Sequence, residues 1–313
     1  MQTQPKDALN SWQDGEVKAA ILSFIDDVTD PNSEYFVEET NRIAVFDNDG
    51  TLWVEKPLMT QIEFIKDMLC PDDDEVELHS TEKMSFLDKV KDRFEDTVVD
   101  FINDIKNAAE ELLDGVTMAE YKQSVRDWIG KTRHPRFDVL YTELTYTPMQ
   151  EVLSLFRDNG FDCFIVSGGS TDFVRPWCEP TYRIPKQNII GSSLRTKLSE
   201  KDGELHLEYL PVPFYFDNGD AKVKSIGRLI GKQPIAAFGN SHGDVEMLRW
   251  TGQAKRSISC LVHHTDAERE YKYSPDPAFH LGKSTLKMAD QFGWHVIDMK
   301  RDWRKVFNFD KHE

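Results

Sequence analysis

The chain has 313 residues, 39% of them hydrophobic, and a formal net charge of −17. That length can bury a substantial core and allows one large domain with an insert, or two domains. The acidic balance argues against nucleic acid and anionic membranes as partners, and no apolar run approaches the roughly 20 residues needed to span a bilayer.

Met1 to Asp14 is polar and lacks the apolar core of a signal peptide, so the chain reads as cytoplasmic, or as exported if a leader has been removed. Gly15 to Val28 predicts a helix with Val17, Ala20, Ile21, Phe24 and Ile25 on one face. Ile43 to Phe46 predicts a buried strand opening into Asp47-Asn48-Asp49-Gly50-Thr51. Carboxylates at alternate positions beyond the C-terminal end of such a strand can face one ligand, and α/β folds bind ligands there. Both stay ionised at low cost only if a cation lies between them. With no His or Cys cluster alongside, a hard divalent ion such as Mg²⁺ suits the pair. The same residues also suit a turn whose carboxylates accept local backbone N–H groups.

From Glu55 to Thr145 the pattern is mostly helical. It carries an acidic break at Pro71 to Glu77, apolar spacing through Phe86, Leu87, Val90, Phe94, Val98, Phe101, Ile102 and Ile105, and a second run at Met118 to Ile129. A helix led by Tyr146-Thr147-Pro148-Met149 and closed at Asn159-Gly160 follows. The next strand, Cys163 to Val166, ends in Ser167-Gly168-Gly169-Ser170. A hydroxyl and N–H groups left open by glycine can wrap phosphate oxygens, with a helix starting near Thr171 to favour the anion; a plain strand-to-helix turn has the same composition.

A helix from about Asp220 to a stop at Gly231 puts Lys222 in its first turn, where a cation needs an anion beside it to offset the helix dipole. Lys224 competes for that role. Pro234 to Phe238 predicts another strand, leading into Gly239-Asn240-Ser241-His242-Gly243-Asp244. His263 and His264, adjacent on an extended segment, point to opposite faces and are set aside as joint metal ligands. Trp294 to Ile297 predicts a late strand and Arg301 to Phe307 a final helix. The four cysteines, Cys70, Cys163, Cys178 and Cys260, lack Cys-x-x-Cys spacing; Cys163 and Cys260 read as buried thiols.

Phe46-Asp47-Asn48-Asp49-Gly50-Thr51 resembles the Asp-x-Asp-Gly-Thr signature of the haloacid dehalogenase (HAD) superfamily. Ser167-Gly168-Gly169, Ala221-Lys222 and the Gly239 to Asp244 loop resemble that superfamily's second, third and fourth motifs, in order, and the double glycine is closest to its phosphoserine-phosphatase-like branch. The resemblance implies an α/β fold: a Rossmann-like three-layer core with a mainly parallel sheet, from residues 1–54 and 146–313, and a mostly α-helical cap at 55–145. It implies a Mg²⁺-dependent phosphomonoesterase that hydrolyses a small phosphorylated metabolite through an aspartyl phosphate. Asp47 would be the nucleophile, Asp49 the general acid and base, and Thr51 would orient Asp49. Ser167, Gly168 and Lys222 would hold the phosphate, which favours Lys222 over Lys224. Mg²⁺ would be held by Asp47, the Asp49 carbonyl, and Asn240 or Asp244. The sequence departs from the family at position 240, where asparagine replaces the usual acid and brings no charge. Glu55 and Arg175 are candidates for choosing the substrate. A phosphomutase of the same superfamily, or a phosphate-ligand binding protein with a degenerate metal site, are the alternatives; a dehalogenase has no need of Asp49.

Overall fold

The computed structural model describes residues 9–69, 112–210, 212, 215–276 and 282–310. Among these, the strands are β1 (Ile43–Phe46), β2 (Asp162–Ser170), β3 (Ile189–Ser192), β4 (Thr196–Lys201), β5 (Glu204–Tyr209), β6 (Ala236–Gly239), β7 (Ile258–His263) and β8 (His295–Asp298). The α-helices are α1 (Glu16–Thr29), α2 (Thr60–Leu69), α3 (Met118–Ile129), α4 (Thr147–Asp158), α5 (Thr171–Tyr182), α6 (Asp220–Leu229), α7 (Val245–Thr251), α8 (Thr285–Phe292) and α9 (Met299–Asp302).

Six of the strands form one sheet, ordered β3-β2-β1-β6-β7-β8 and parallel throughout. Because alternate residues of a strand face opposite sides, β1 divides its side chains between two cores. Ala44 and Phe46 join one core with Phe24 of α1, Val125 of α3, Phe156 of α4 and Phe173 of α5. Ile43 and Val45 join the other with Ile226 of α6, Leu248 of α7 and Ala289 of α8. The result is the expected three-layer α/β core with helices on both faces. Phe46 stacks on Phe238 at 4.8 Å, and Phe156 meets both rings edge-on at 6.1 and 5.7 Å. The order of the chain reverses between β1 and β6, where an open parallel sheet leaves a crevice at its carboxyl edge.

Within the stretch from 55 to 145, helices α2 and α3 pack on this core. Helix α3 starts at a capping box between Thr117 and Glu120 and covers the predicted span Met118–Ile129. Phe64 of α2 lies 5.7 Å from Tyr121, 5.5 Å from Trp128 and 5.6 Å from Phe173. Asp172 of α5 pairs with Lys122 of α3 at 3.0 Å and accepts from the Tyr209 hydroxyl of β5 at 2.9 Å. The predicted acidic break at Pro71 to Glu77 and the apolar run from Phe86 to Ile105 lie outside the described residues, as does Cys70. Cys163, Cys178 and Cys260 are buried free thiols. Among the described residues, no helix is long and apolar enough to cross a membrane.

Two elements differ from the sequence reading. The antiparallel hairpin β4–β5 is added, its strands joined through Asp202 and Gly203, both with positive φ (55° and 80°), as a tight hairpin turn requires. The final helix predicted at Arg301 to Phe307 is instead the short α9, after which Trp303 bridges to Trp12 with the rings edge-on at 6.0 Å. The N–H groups of Val306 and Phe307 are satisfied by the Asp310 carboxylate, at 2.8 and 2.9 Å, so burial of these side chains needs no helix.

In the loop after α3, His134 is buried with Nε2 donating to the Lys56 carbonyl at 2.7 Å and Nδ1 accepting the Arg136 N–H at 3.1 Å, an arrangement that requires the neutral ring. Burial holds its pKa below the usual histidine value. The unfolded chain takes up this proton near the ordinary value of about 6.5 while the folded chain does not, so stability is lost as pH falls below that value. The melting temperature is expected to drop between about pH 7 and 5.5, and to drop less in His134→Gln.

Candidate active site

The predicted motifs converge at the carboxyl edge of β1, β2 and β6. Asp47 is the first residue beyond β1, and its N–H donates to the Phe238 carbonyl of β6 at 2.9 Å, tying the two strand ends together. Lys222, in the first turn of α6, is 1% exposed. Its ammonium donates to Asp47 Oδ1 at 2.6 Å, Asp244 Oδ1 at 2.6 Å and the Val166 carbonyl of β2 at 2.8 Å. Burial alone would push this lysine down; Asp244 and Asp47 overcome that and hold it above the usual lysine value. For Asp47 the balance runs the other way. Burial and then the Asp244 charge push its carboxyl well up, against the pull of Lys222. Lys224 lies on the surface, paired with Asp220.

Asp244 is pinned by its other oxygen, which accepts from the N–H groups of Asn240 and Ser241 at 3.0 Å each and from the Ser241 hydroxyl at 3.2 Å. This curl of the loop needs glycine at 239, where a Cβ would come within 2.5 Å of the Asp244 side chain.

Asp49 Oδ1 accepts from Trp53 Nε1 at 2.9 Å, and burial raises its pKa to about 6. Between the two aspartates, Asn48 turns into the core and accepts the Tyr182 hydroxyl at 3.0 Å. Gly50 has a φ of +74°, and a Cβ there would lie 2.0 Å from Asn240 Nδ2, so both conformation and space demand glycine. Its carbonyl accepts from His264 Nε2 at 2.7 Å, while His264 Nδ1 faces Glu270 Oε2 at 3.0 Å and the ring stacks on Tyr273 at 4.1 Å. Glu270 also accepts from the Tyr146 hydroxyl and the Tyr271 N–H, so the imidazole is held from both sides in a fully partnered buried network. This buried prop beneath the Asp47–Thr51 turn was missed when His263 and His264 were set aside together; one of the pair facing inward is what strand alternation predicts.

On β2, Ser167 Oγ accepts the Gly169 N–H at 2.9 Å and keeps its own hydrogen to donate, while Gln61 of α2 accepts the Ser170 N–H at 2.7 Å. Gly168 lies beside them, its carbonyl accepting from the Ser192 hydroxyl at 2.7 Å. A Cβ on Gly169 would lie 3.6 Å from Asp49 Oδ2, so this turn and Asp49 are neighbours. Gln61 carried no signal in the sequence beyond its place on a helix.

Three assignments change. Thr51 does not hold Asp49: its hydroxyl donates to Asn240 Oδ1 at 3.3 Å, and Trp53 holds Asp49 instead. Arg175 is not brought to the group; its guanidinium donates to the carbonyls of Lys186 and Ile189, at 3.0 and 3.3 Å, behind α5. Glu55 does reach the group, but its Oε1 accepts from Asn240 Nδ2 at 3.1 Å. Burial pushes the Glu55 carboxyl up, while Lys56 and His264 pull it back.

Among the described residues, no three His, Cys, Asp or Glu side chains are arranged to hold a metal ion. The donors present are all oxygens: the Asp47 carboxylate, the Asp49 carbonyl and the Asn240 amide. Asp47 and Asp244 together outweigh the single charge of Lys222, with Asp49 and Glu55 alongside. An oxygen-only set with excess negative charge fits a hard divalent cation such as Mg²⁺, which would also lower the raised Asp47.

Residues 44–249 match the sequence family described as haloacid dehalogenase-like hydrolase. No curated protein matches the chain. Similar solved structures include a conserved functionally unknown protein from Anaerococcus prevotii DSM 20548, at 16% identity and TM-score 0.49 over 80% of this chain and 86% of that one. A protein with unknown function from Bordetella pertussis Tohama I is similar at 16% identity and TM-score 0.48, over 83% and 99%. A phosphoserine phosphohydrolase-like protein from Francisella tularensis subsp. tularensis SCHU S4 is similar at 19% identity and TM-score 0.38, over 70% and 87%.

Removing the His264 prop tests how far the turn depends on it. His264→Ala leaves the buried Gly50 carbonyl and Glu270 Oε2 without their ring partner and is expected to cost about 1–3 kcal/mol in urea unfolding.

Proposed function

Because the chain belongs to the haloacid dehalogenase-like hydrolases, we propose that it is a phosphomonoesterase acting on a small phosphate ester, with Asp47 as nucleophile and Mg²⁺ as cofactor. The observation that carries this reading is the placement of Asp47, Lys222 and Asp244 in one buried ion-pair group, with Asp49 two residues beyond the nucleophile. Lys222 occupies Oδ1 of Asp47, which leaves Oδ2 to attack phosphorus in line. A phosphorus–oxygen bond forms to Asp47 as the bond to the ester oxygen breaks, and Asp49 passes a proton to that leaving oxygen. In the second half Asp49 takes a proton from water, the water oxygen bonds to phosphorus, and Asp47 leaves as a carboxylate with inorganic phosphate released. A carboxyl group whose pKa lies near neutrality can serve in both directions.

The Ser167 hydroxyl, with the Gly168 N–H, would face the phosphoryl oxygens, and Lys222, its three hydrogens taken by Asp47, Asp244 and the Val166 carbonyl, would neutralise growing charge from beside Asp47. Mg²⁺ would be held by Asp47, the Asp49 carbonyl and Asn240, with Asp244 behind, and would supply electrostatic stabilisation of the phosphoryl group. Within the stretch read as a cap, Gln61 accepts from the Ser170 N–H and Glu55 from the Asn240 amide, the contributions of its described residues to this edge of the sheet. Glu55, the sequence candidate for substrate choice, has one carboxylate oxygen on the Asn240 amide.

The experiment is release of inorganic phosphate from a generic aryl phosphate with Mg²⁺, with chelator, and in Asp47→Asn. Turnover that falls by at least about 10³-fold in the variant, and is abolished by chelator, supports the reading. A folded wild-type protein that releases no phosphate from aryl or metabolite phosphates overturns it, and transfer of the phosphate to a second hydroxyl would identify a mutase.

A further inference from the structure

We infer that Glu55 is a positioning residue that supplies, through the side-chain amide of Asn240, the negative charge an acidic residue at position 240 would carry. The inference rests on the reading above, in which Asn240 faces Mg²⁺. Asn240 is 1% exposed, so its amide cannot rely on water, and it has partners at both ends. Its Nδ2 donates to Glu55 Oε1 at 3.1 Å, and its Oδ1 accepts the Thr51 hydroxyl at 3.3 Å. A carboxylate only accepts, so Glu55 fixes which end of the amide is nitrogen and which is carbonyl. An anion on the N–H side of an amide draws electron density toward its oxygen, and that strengthens a neutral oxygen as a ligand for a hard cation.

Position in the fold supports the same role. The Glu55 carboxyl lies over the turn that carries both aspartates: a Cβ on Gly50 would be 2.9 Å from its Cδ. Glu55 therefore sits on the nitrogen side of the Asn240 amide and beside the Gly50 end of the turn that carries both aspartates. The charge that the fourth motif lacks is restored from the loop after the first, across 185 residues of sequence. Thr51, bonded to the carbonyl end, anchors the amide opposite Glu55.

The test is Mn²⁺ binding to the full-length chain, read from the free-ion electron paramagnetic resonance signal, for wild type, Glu55→Gln, Asn240→Asp and the double variant, with phosphate release followed in parallel. Glu55→Gln keeps the acceptor but removes the charge, and is expected to weaken Mn²⁺ about 10- to 100-fold. Asn240→Asp alone sets two carboxylates against each other and is expected to gain little, whereas Glu55→Gln with Asn240→Asp moves the charge to position 240 and restores wild-type affinity. If Glu55→Gln fails to fold, Glu55→Asp, which keeps the charge and withdraws it by one methylene, decides the matter by a smaller loss of affinity. Unchanged Mn²⁺ affinity in the folded Glu55 variants overturns the inference alone, and a raised KM beside it would assign Glu55 to the substrate. Wild-type protein that binds no Mn²⁺ overturns both the inference and the metal-dependent reading.

Discussion

Lys222 is an ammonium removed from water, and it stays charged there because two carboxylates and a strand carbonyl accept from it. Those acceptors come from different places: Asp47 from the end of β1, Val166 from β2 and Asp244 from the loop after β6. The lysine itself belongs to α6. One charged group thus fixes the relative position of the elements that form the carboxyl edge of the sheet. Asp244 extends the constraint by holding the backbone of Asn240 and Ser241 with its second oxygen, so the loop after β6 cannot shift independently of α6. Burial and the Asp244 charge still push the Asp47 carboxyl up against the pull of this lysine.

Much of this was legible because buried parallel strands are short apolar runs whose ends are polar. Ile43 to Phe46 and Ala236 to Gly239 stand out from their neighbours, and each hands over to a turn whose glycines the packing demands. Lys222 was separable from Lys224 by family pattern and by the need for an anion at a helix start. The structure gives the physical counterpart, since one is buried between carboxylates and the other pairs with its own helix on the surface. Helix α3 was legible to its ends because its start is written locally, in the Thr117–Glu120 box.

What could not be read depends on partners distant in sequence. Thr51 next to Asp49 suggests a local bond, yet the hydroxyl turns to Asn240 because Trp53 already occupies Asp49. Arg175 is drawn to carbonyls beyond its own helix, and His264 gains meaning only when Gly50 and Glu270 are in place around it. The segment after α9 has helical spacing but finds better partners in Trp12 and Asp310. The β4–β5 hairpin is the exception, since Asp202-Gly203 between two six-residue strands is a local signal.

The distances along the chain carry one more consequence. Asp47 meets Lys222 across 175 residues, and Gly50 meets His264 across 214. No fragment of the sheet contains the site, because β6 must insert beside β1 before a carboxylate, an ammonium and the prop beneath them share one place. Contacts of such long range are among the last a chain closes, since the loop entropy is lost before the contacts form. During synthesis, the first half of the protein therefore leaves the ribosome with Asp47 still without its lysine. The chemistry switches on only when the final third of the chain arrives, so a truncated or stalled product is an inert one.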